Sequence, residues 1–255
     1  MSSLRALIFD VDGTLAETER DGHRVAFNQA FTAAGLDWCW STDHYSQLLM
    51  ISGGKERIGY FIRQSHPDFT PPAKFQELTE FIASLHRAKS EFYRQAIATI
   101  PLRPGVHRLL KEAKAAGLRL AIATTSHLHS VIPLLEARLG PEGPGWFEVI
   151  AAGDIVPHKK PAPDIYDYVL AKLQLPPENC LVFEDTHHGL MAATQANLKT
   201  IVTVNEYTQD QDFSEARAVV SHLGEPDQPC TVIAGKLQAD YLSVSALQQL
   251  WSLEN

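Results

Sequence analysis

Residues 4–15 read LRALIFDVDGTL, a largely apolar run that is followed by two aspartates and a glycine. Such a run is typical of a strand that is buried on both faces. Asp10 and Asp12 are two positions apart and leave the strand end on the same side, and Gly13 allows a sharp turn. Two carboxylates this close repel each other unless a cation or a shared proton separates them. The stretch therefore predicts a strand that ends in a reactive acidic pair; the alternative is an Asx turn with a helix cap.

Apolar runs and amphipathic stretches alternate along most of the chain. This order predicts an α/β fold, a doubly wound parallel sheet with helices on both faces. Residues 17–97 interrupt it, because they show helical spacing and no convincing strand. We therefore expect a core domain of residues 1–16 and 98–255, with an all-helical cap domain inserted at residues 17–97. A loop is expected at 224–236. Further strands are expected at residues 119–125, 149–152, 180–185, 200–204 and 218–222, and core helices at 106–116, 128–139, 165–173, 190–196 and 244–251.

The composition limits the kinds of partner. The 255 residues are 45% hydrophobic and carry a formal net charge of −8. A negative protein lacks the basic field that nucleic acid or an anionic membrane surface requires, so we expect neither partner. Cys39, Cys180 and Cys230 are dispersed and have no zinc-ligand spacing, which favours a reducing compartment. We expect a cytoplasmic protein without a targeting leader or a membrane span and, by default, a monomer.

A second acidic motif, Glu184-Asp185-Thr186, ends the expected strand CLVFED and opens a helix of small residues. An acidic pair at the carboxyl end of a strand is a natural site for a hard cation, since Mg²⁺ prefers carboxylate oxygens. The alternative is that Asp185 or Thr186 only caps the helix.

Two further stretches have features suited to phosphoryl groups. In residues 158–164 (HKKPAPD), Pro161 holds the chain extended, so Lys160 presents a fixed point charge that offsets charge on a transferring phosphoryl group. Thr124 and Ser126 follow the run RLAIA, where a hydroxyl can donate to a phosphoryl oxygen. The alternatives are two solvated lysines in the first stretch and a helix cap in the second.

In this order, the four motifs resemble those of the haloacid dehalogenase-like superfamily of phosphotransferases, over essentially the whole chain. The resemblance implies a Rossmann-like core and a covalent aspartyl-phosphate. By this likeness Asp10 is the nucleophile, and Asp12 protonates the leaving oxygen and then activates water. Dehalogenases of the superfamily lack the second aspartate, so Asp12 points to phosphoryl transfer. Thr124 and Lys160 complete the implied catalytic set. The implied cofactor is Mg²⁺, held by Asp10, the backbone carbonyl of Asp12, Asp185 and, as an additional or indirect ligand, Glu184.

The helical insertion resembles a narrower group. Residues 17–24 (ETERDGHR), 53–57 (GGKER) and 85–89 (LHRAK) are similar to those of the CbbY-type phosphatases of photosynthetic organisms. That likeness implies a phosphosugar substrate, xylulose 1,5-bisphosphate, which is an inhibitory by-product of Rubisco. It also implies the cytoplasm of a photosynthetic microbe, or the plastid stroma if a transit peptide is removed.

A bisphosphate needs a second phosphate site, and GGKER suits one. The paired glycines at a helix start expose amides, and Lys55 and Arg57 add positive charge near Gly54. The alternative is a glycine turn followed by solvated charges. The candidates for the sugar hydroxyls are Glu19, His23 and Tyr45, with Ser126 reaching the substrate from the core domain.

Two other functions remain open from the sequence. A phosphosugar mutase of the beta-phosphoglucomutase type uses Asp10 in the same way but passes the phosphoryl group to a second hydroxyl. A non-catalytic sensor of phosphometabolites tolerates loss of the nucleophile, and the presence of Asp10, Asp12, Lys160 and Asp185 together disfavours it.

Overall fold

The computed structural model describes residues 3–51 and 53–252. They form two compact units, Thr18–Ile100 and the segments on either side of it. The strands are β1 (Ala6–Phe9), β2 (Arg119–Thr124), β3 (Val149–Ala152), β4 (Cys180–Glu184), β5 (Lys199–Thr203), β6 (Ala218–Val220) and β7 (Val232–Gly235). The α-helices are α1 (Arg24–Ala33), α2 (Thr42–Leu48), α3 (Gly54–Ser65), α4 (Leu78–Ala96), α5 (Val106–Ala115), α6 (Leu128–Leu139), α7 (Asp164–Leu173), α8 (His187–Gln195) and α9 (Val244–Ser252).

The strands form one sheet in the order β3-β2-β1-β4-β5-β6-β7, and the first six pair in parallel. Every residue of β1 and β4 is buried, which explains their continuous apolar sequences. Ala6 and Ile8 pack into a core with residues of α7 and α8. On the other face of the sheet, the ring of Phe9 stacks on Phe183 at 4.7 Å. The expected doubly wound α/β fold is confirmed.

The register of the central strands determines which side chains meet. Phe9 is aligned with Ile122 of β2 and with Phe183 of β4. Because parallel strands in this register end at the same edge of the sheet, Asp10, which follows β1, and Glu184, which ends β4, lie side by side there.

The loop expected at residues 224–236 contains an antiparallel edge strand, β7. It pairs with β6, with an irregularity in the register between Val219 and Val220. All residues of β7 are partly or fully exposed. They therefore lack the continuous apolar pattern that a buried strand shows in sequence, and the expectation of a loop was wrong for Val232–Gly235.

In the unit Thr18–Ile100, all regular secondary structure of the described residues is helical. Its core is aromatic: Phe27, Phe31, Trp40 and Tyr45 are at most 1% exposed. The rings of Phe27 and Trp40 lie 4.6 Å apart, and these side chains pack against one another as a core. Across the described parts of both units, every helix is too short or too polar to cross a membrane.

Candidate active site

Three acidic side chains meet at the carboxyl edge of the sheet. Asp10, Glu184 and Asp185 are buried, and one carboxylate oxygen from each lies within 4.8 Å of the others. The pairing of β1 with β4 brings them together, because Asp10 follows the first strand and Glu184 ends the second. Three carboxylates this close require positive charge nearby. We call these residues the acidic cluster.

Lys160 supplies part of that charge. Its ammonium group donates to Oδ1 of Asp10 at 2.7 Å, to the carbonyl of Ala123 at 2.9 Å and to Oε1 of Glu184. The side chain is 7% exposed. All three donors of the ammonium are thus used inside a buried site, so Lys160 is not a solvated loop lysine.

The chemistry of the acidic cluster fits a divalent cation. Burial raises the pKa of Asp10 well above its usual value, against the opposing charge of Lys160. Burial also raises the pKa of Asp185, and the charges of Asp10 and Glu184 add to the rise. Burial disfavours the charge on Lys160, but Asp10 and Glu184 outweigh it and raise the pKa of the lysine. One ammonium does not balance three carboxylates, and carboxylate oxygens are the ligands that Mg²⁺ prefers.

Three residues that the sequence analysis did not place in the site, Tyr166, Asn205 and Thr14, hold the acidic cluster in place. The hydroxyl of Tyr166 donates to Oε1 of Glu184 at 2.6 Å. The amide of Asn205 donates to Oδ2 of Asp185 at 2.7 Å, and the hydroxyl of Thr14 donates to Oδ1 at 3.3 Å. Asn205 follows β5 closely, so a polar residue just after a buried strand was the available signal. Tyr166 lies within α7 and gave no comparable signal.

Asp12 lies outside the acidic cluster and has different partners. Its Oδ2 accepts a hydrogen bond from the hydroxyl of Ser126. Oγ1 of Thr124 in turn accepts from the backbone N–H of Ser126 at 3.1 Å. The end of β2 therefore brings Ser126 to the second aspartate of the first motif, and Thr124 binds the backbone of Ser126. At the second motif, Thr186 caps α8 by accepting from the N–H of Gly189, while the side chain of Asp185 joins the acidic cluster.

A chain of three side chains joins two of the candidate sugar-binding residues of the helical unit, Glu19 and Tyr45, to Arg57. Tyr45 donates from its hydroxyl to Oε2 of Glu19 at 2.6 Å and accepts from Arg57 at 2.9 Å. The Arg57 guanidinium also donates to the carbonyls of Leu48 and Ile51. Arg57 is thus bound to acceptors within this unit, whereas the GGKER pattern led us to expect a group open to phosphate.

The other two candidates from GGKER lie at the start of α3. Gly54 is its first residue, and the following Lys55 is exposed. The preceding Gly53 has a φ of 94°. A glycine is favoured there, because an L side chain rarely adopts that conformation.

Glu19 and His23 are the first and last residues of a π-helical turn, Glu19–His23. Such turns are rare and occur frequently at functional sites. Nδ1 of His23 accepts from the ammonium of Lys89 at 2.7 Å, since a lysine can only donate. The His23 ring also stacks on Tyr93 at 4.1 Å. Lys89, 8% exposed, is a buried cation that the sequence analysis did not single out.

A family model for haloacid dehalogenase-like hydrolases matches residues 4–197, a span that contains Asp10, Lys160 and the whole acidic cluster. The chain belongs to the haloacid dehalogenase-like hydrolase family.

Within this family, the chain is similar to proteins called CbbY. Protein CbbY of Rhodobacter capsulatus is 50% identical over 215 residues, which are 84% of this chain and 91% of that protein. The crystal structure of CbbY from Rhodobacter sphaeroides in complex with phosphate is 45% identical, with a TM-score of 0.76 and coverage of 86% of this chain and 94% of that one. A mutant of that CbbY in complex with xylulose-(1,5)bisphosphate has the same identity, coverage and TM-score. The expected CbbY-type resemblance is confirmed, and the chain is a phosphatase of the family.

Proposed function

We propose that this phosphatase removes one phosphate from xylulose 1,5-bisphosphate and releases xylulose 5-phosphate. The observation that carries the proposal is the similarity to the Rhodobacter sphaeroides CbbY that was crystallised with xylulose-(1,5)bisphosphate, at 45% identity and a TM-score of 0.76. The acidic cluster and Lys160 are the groups that such a reaction uses.

Asp10 is the proposed nucleophile. Its Oδ1 is held by Lys160 at 2.7 Å, while its Oδ2 accepts no hydrogen bond from the residues that the structure describes. Oδ2 attacks the phosphorus, the bond from phosphorus to the sugar oxygen breaks, and the phosphoryl group becomes an aspartyl-phosphate. The charge of Lys160 favours the ionised form of the attacking carboxylate, against the effect of burial, and offsets negative charge on the phosphoryl oxygens.

Asp12 is the proposed acid and base. It gives its proton to the leaving sugar oxygen and then, as a carboxylate, accepts a proton from the water that attacks the aspartyl-phosphate. The attack regenerates Asp10 and releases inorganic phosphate. The hydroxyl of Ser126 orients Asp12 by donating to its Oδ2. The Thr124 hydroxyl would donate a hydrogen bond to a phosphoryl oxygen, because Oγ1 of Thr124 already accepts one from the backbone N–H of Ser126.

The proposed cofactor is Mg²⁺. Asp10, Asp185 and the backbone carbonyl of Asp12 would hold the ion, which when bound offsets negative charge on the carboxylates and the phosphoryl group. Glu184 would serve as an additional or indirect ligand, because its Oε1 already accepts from Lys160 and Tyr166.

The helical unit supplies the proposed binding groups for the rest of the sugar. Glu19, His23 and Tyr45 would bind hydroxyl groups, and Gly54 with Lys55 would bind the second phosphate. Arg57 would support Tyr45 through the 2.9 Å hydrogen bond to its hydroxyl. Binding energy from the remote phosphate would then orient the reacting end of the substrate.

The proposal assigns separate roles to the two domains that the sequence predicts. Residues 17–97 would act as a cap for substrate recognition, and residues 1–16 and 98–255 as the catalytic core. The proposed location is the cytoplasm of a photosynthetic microbe, or the plastid stroma.

A substrate panel tests the proposal. Purified protein is assayed for inorganic phosphate with Mg²⁺ or with EDTA, on xylulose 1,5-bisphosphate, other ketopentose bisphosphates and sugar monophosphates. We expect the fastest release from xylulose 1,5-bisphosphate and none with EDTA. Faster release from many monophosphates would refute the substrate assignment. An isomerised phosphosugar in place of free phosphate would instead support the mutase alternative.

A further inference from the structure

Arg103 is a buried side chain, 5% exposed, that binds three loops at the carboxyl edge of the sheet. Its NH1 group donates to the carbonyls of Gly13 and Thr203, the second at 2.8 Å. Its NH2 group donates to the carbonyls of Val204 at 2.6 Å and Ser221 at 2.7 Å. One planar guanidinium thus ties together the loops that follow β1, β5 and β6.

Two of these carbonyls belong to residues next to the partners of Asp185. Gly13 precedes Thr14, whose hydroxyl donates to Oδ1 of Asp185 at 3.3 Å. Val204 precedes Asn205, whose amide donates to Oδ2 at 2.7 Å. Both oxygens of Asp185 are therefore held by residues whose backbone neighbours are bound by Arg103.

The backbone of Gly13 also has to lie close to Asp185. Its φ is 80°, and a Cβ atom there would overlap the side chains of Asp185 and Asn205. The position of this backbone consequently sets how near Asp185 comes to the first motif. Arg103 holds that position through the Gly13 carbonyl, and an ion pair with Glu17 at 3.1 Å offsets the buried charge.

We propose that Arg103 is a positioning residue for the metal site and acts on Asp185 through Thr14 and Asn205. The inference rests on the proposed function, because it takes Asp185 as a metal ligand. The residue must be an arginine, since the planar fork reaches carbonyls in several directions whereas a lysine offers one compact charge. Loss of the groups that orient a metal ligand typically weakens metal binding by about 10–100-fold.

The test is a titration of metal-free protein with Mn²⁺, followed by electron paramagnetic resonance, on the wild type, Arg103→Lys and Arg108→Lys. Arg108 is the matched control, because it donates to Glu112 and Glu225 and to the carbonyl of Gly224, none of which belongs to the acidic cluster or its partners. Both variants should melt at a lower temperature. Only Arg103→Lys should raise the Kd for Mn²⁺, by about tenfold or more.

A wild-type Kd in Arg103→Lys overturns the inference. Absence of Mn²⁺ binding by the wild type contradicts instead the metal dependence of the proposed function, so the two failures are distinguishable. If Arg103→Lys does not fold, Thr14→Val takes its place, because the inference has Arg103 act on Asp185 through the Thr14 hydroxyl, which donates to Oδ1 at 3.3 Å. We expect a severalfold higher Kd in that variant, and an unchanged Kd there also overturns the inference.

Discussion

The ammonium nitrogen of Lys160 lies 2.7 Å from Oδ1 of Asp10, although 150 positions separate the two residues in the chain. The same nitrogen donates to Glu184, so one lysine joins the ends of β1 and β4. Removal of one partner from a buried ion pair leaves the other charges uncompensated. Lys160 therefore matters for stability as well as for the proposed chemistry.

Replacement of this lysine should destabilise the fold. We expect Lys160→Met to lower the free energy of unfolding at pH 7 by about 3–5 kcal/mol, measured by urea denaturation without metal. Without the lysine, the pKa of Asp10 in the folded state lies further above its unfolded value. Protonation of Asp10 therefore stabilises the folded state of the variant. The difference in free energy of unfolding between the wild type and Lys160→Met should consequently shrink as the pH falls.

Lys159→Met is the control for that measurement. Lys159 pairs with Asp154 at 2.9 Å, but the two side chains are 38% and 69% exposed. An exposed pair contributes at most about 1 kcal/mol, so this variant should unfold almost as the wild type does. Equal losses in the two variants would contradict the structural role of Lys160.

Asp10→Asn should abolish phosphate release and leave the fold intact. The amide keeps the size of the carboxylate but is a poor nucleophile, so no aspartyl-phosphate forms. Phosphate release and circular dichroism measure the two effects. Asp210→Asn, at an exposed position, should retain full activity. Turnover at the wild-type rate in Asp10→Asn would show that Asp10 is not the nucleophile.

Tyr45→Phe tests the chain from Arg57 to Glu19. The change removes the hydroxyl that donates to Glu19 and accepts from Arg57, and it leaves a buried N–H of Arg57 without this acceptor. We expect a stability loss of about 1–3 kcal/mol. We also expect KM for xylulose 1,5-bisphosphate to rise more than kcat falls, because the sugar contacts lose their orientation.

The matched control is Tyr60→Phe, since Tyr60 is 36% exposed on α3. It should leave stability, KM and kcat unchanged. An unaltered KM in Tyr45→Phe would show that the chain from Arg57 to Glu19 serves only the packing of the helical unit.

The cysteines provide a test of the core packing. Burial raises the pKa of Cys180 to about 12, so at pH 8 about one molecule in ten thousand carries the reactive thiolate. Ellman's reagent should modify the exposed Cys39 rapidly and Cys180 only after unfolding in urea. Cys39→Ser should remove the rapid phase; loss of that phase in Cys180→Ser would contradict the position of β4.

Much of the fold and part of the site follow from local patterns in the sequence. The apolar run before Asp10 and the run CLVFE before Asp185 predict buried strands, and both residues lie at the carboxyl edge of the sheet. The two strands can be predicted from the sequence because a strand that is buried on both faces needs apolar residues throughout. The exposed edge strand β7 lacks that requirement and was missed.

What the sequence alone determined is the set of chemical groups: the paired acids at the strand ends, and the lysine before Pro161. What only the tertiary structure decided is how those groups are held. Arg103, Tyr166 and Asn205 act on residues far away in the chain, so no local spacing marks them. The physical reason is that a buried donor binds whichever acceptor the packed loops bring within hydrogen-bond distance. The periodicity of the sequence reports which face of an element is buried, and it does not report such long-range pairs.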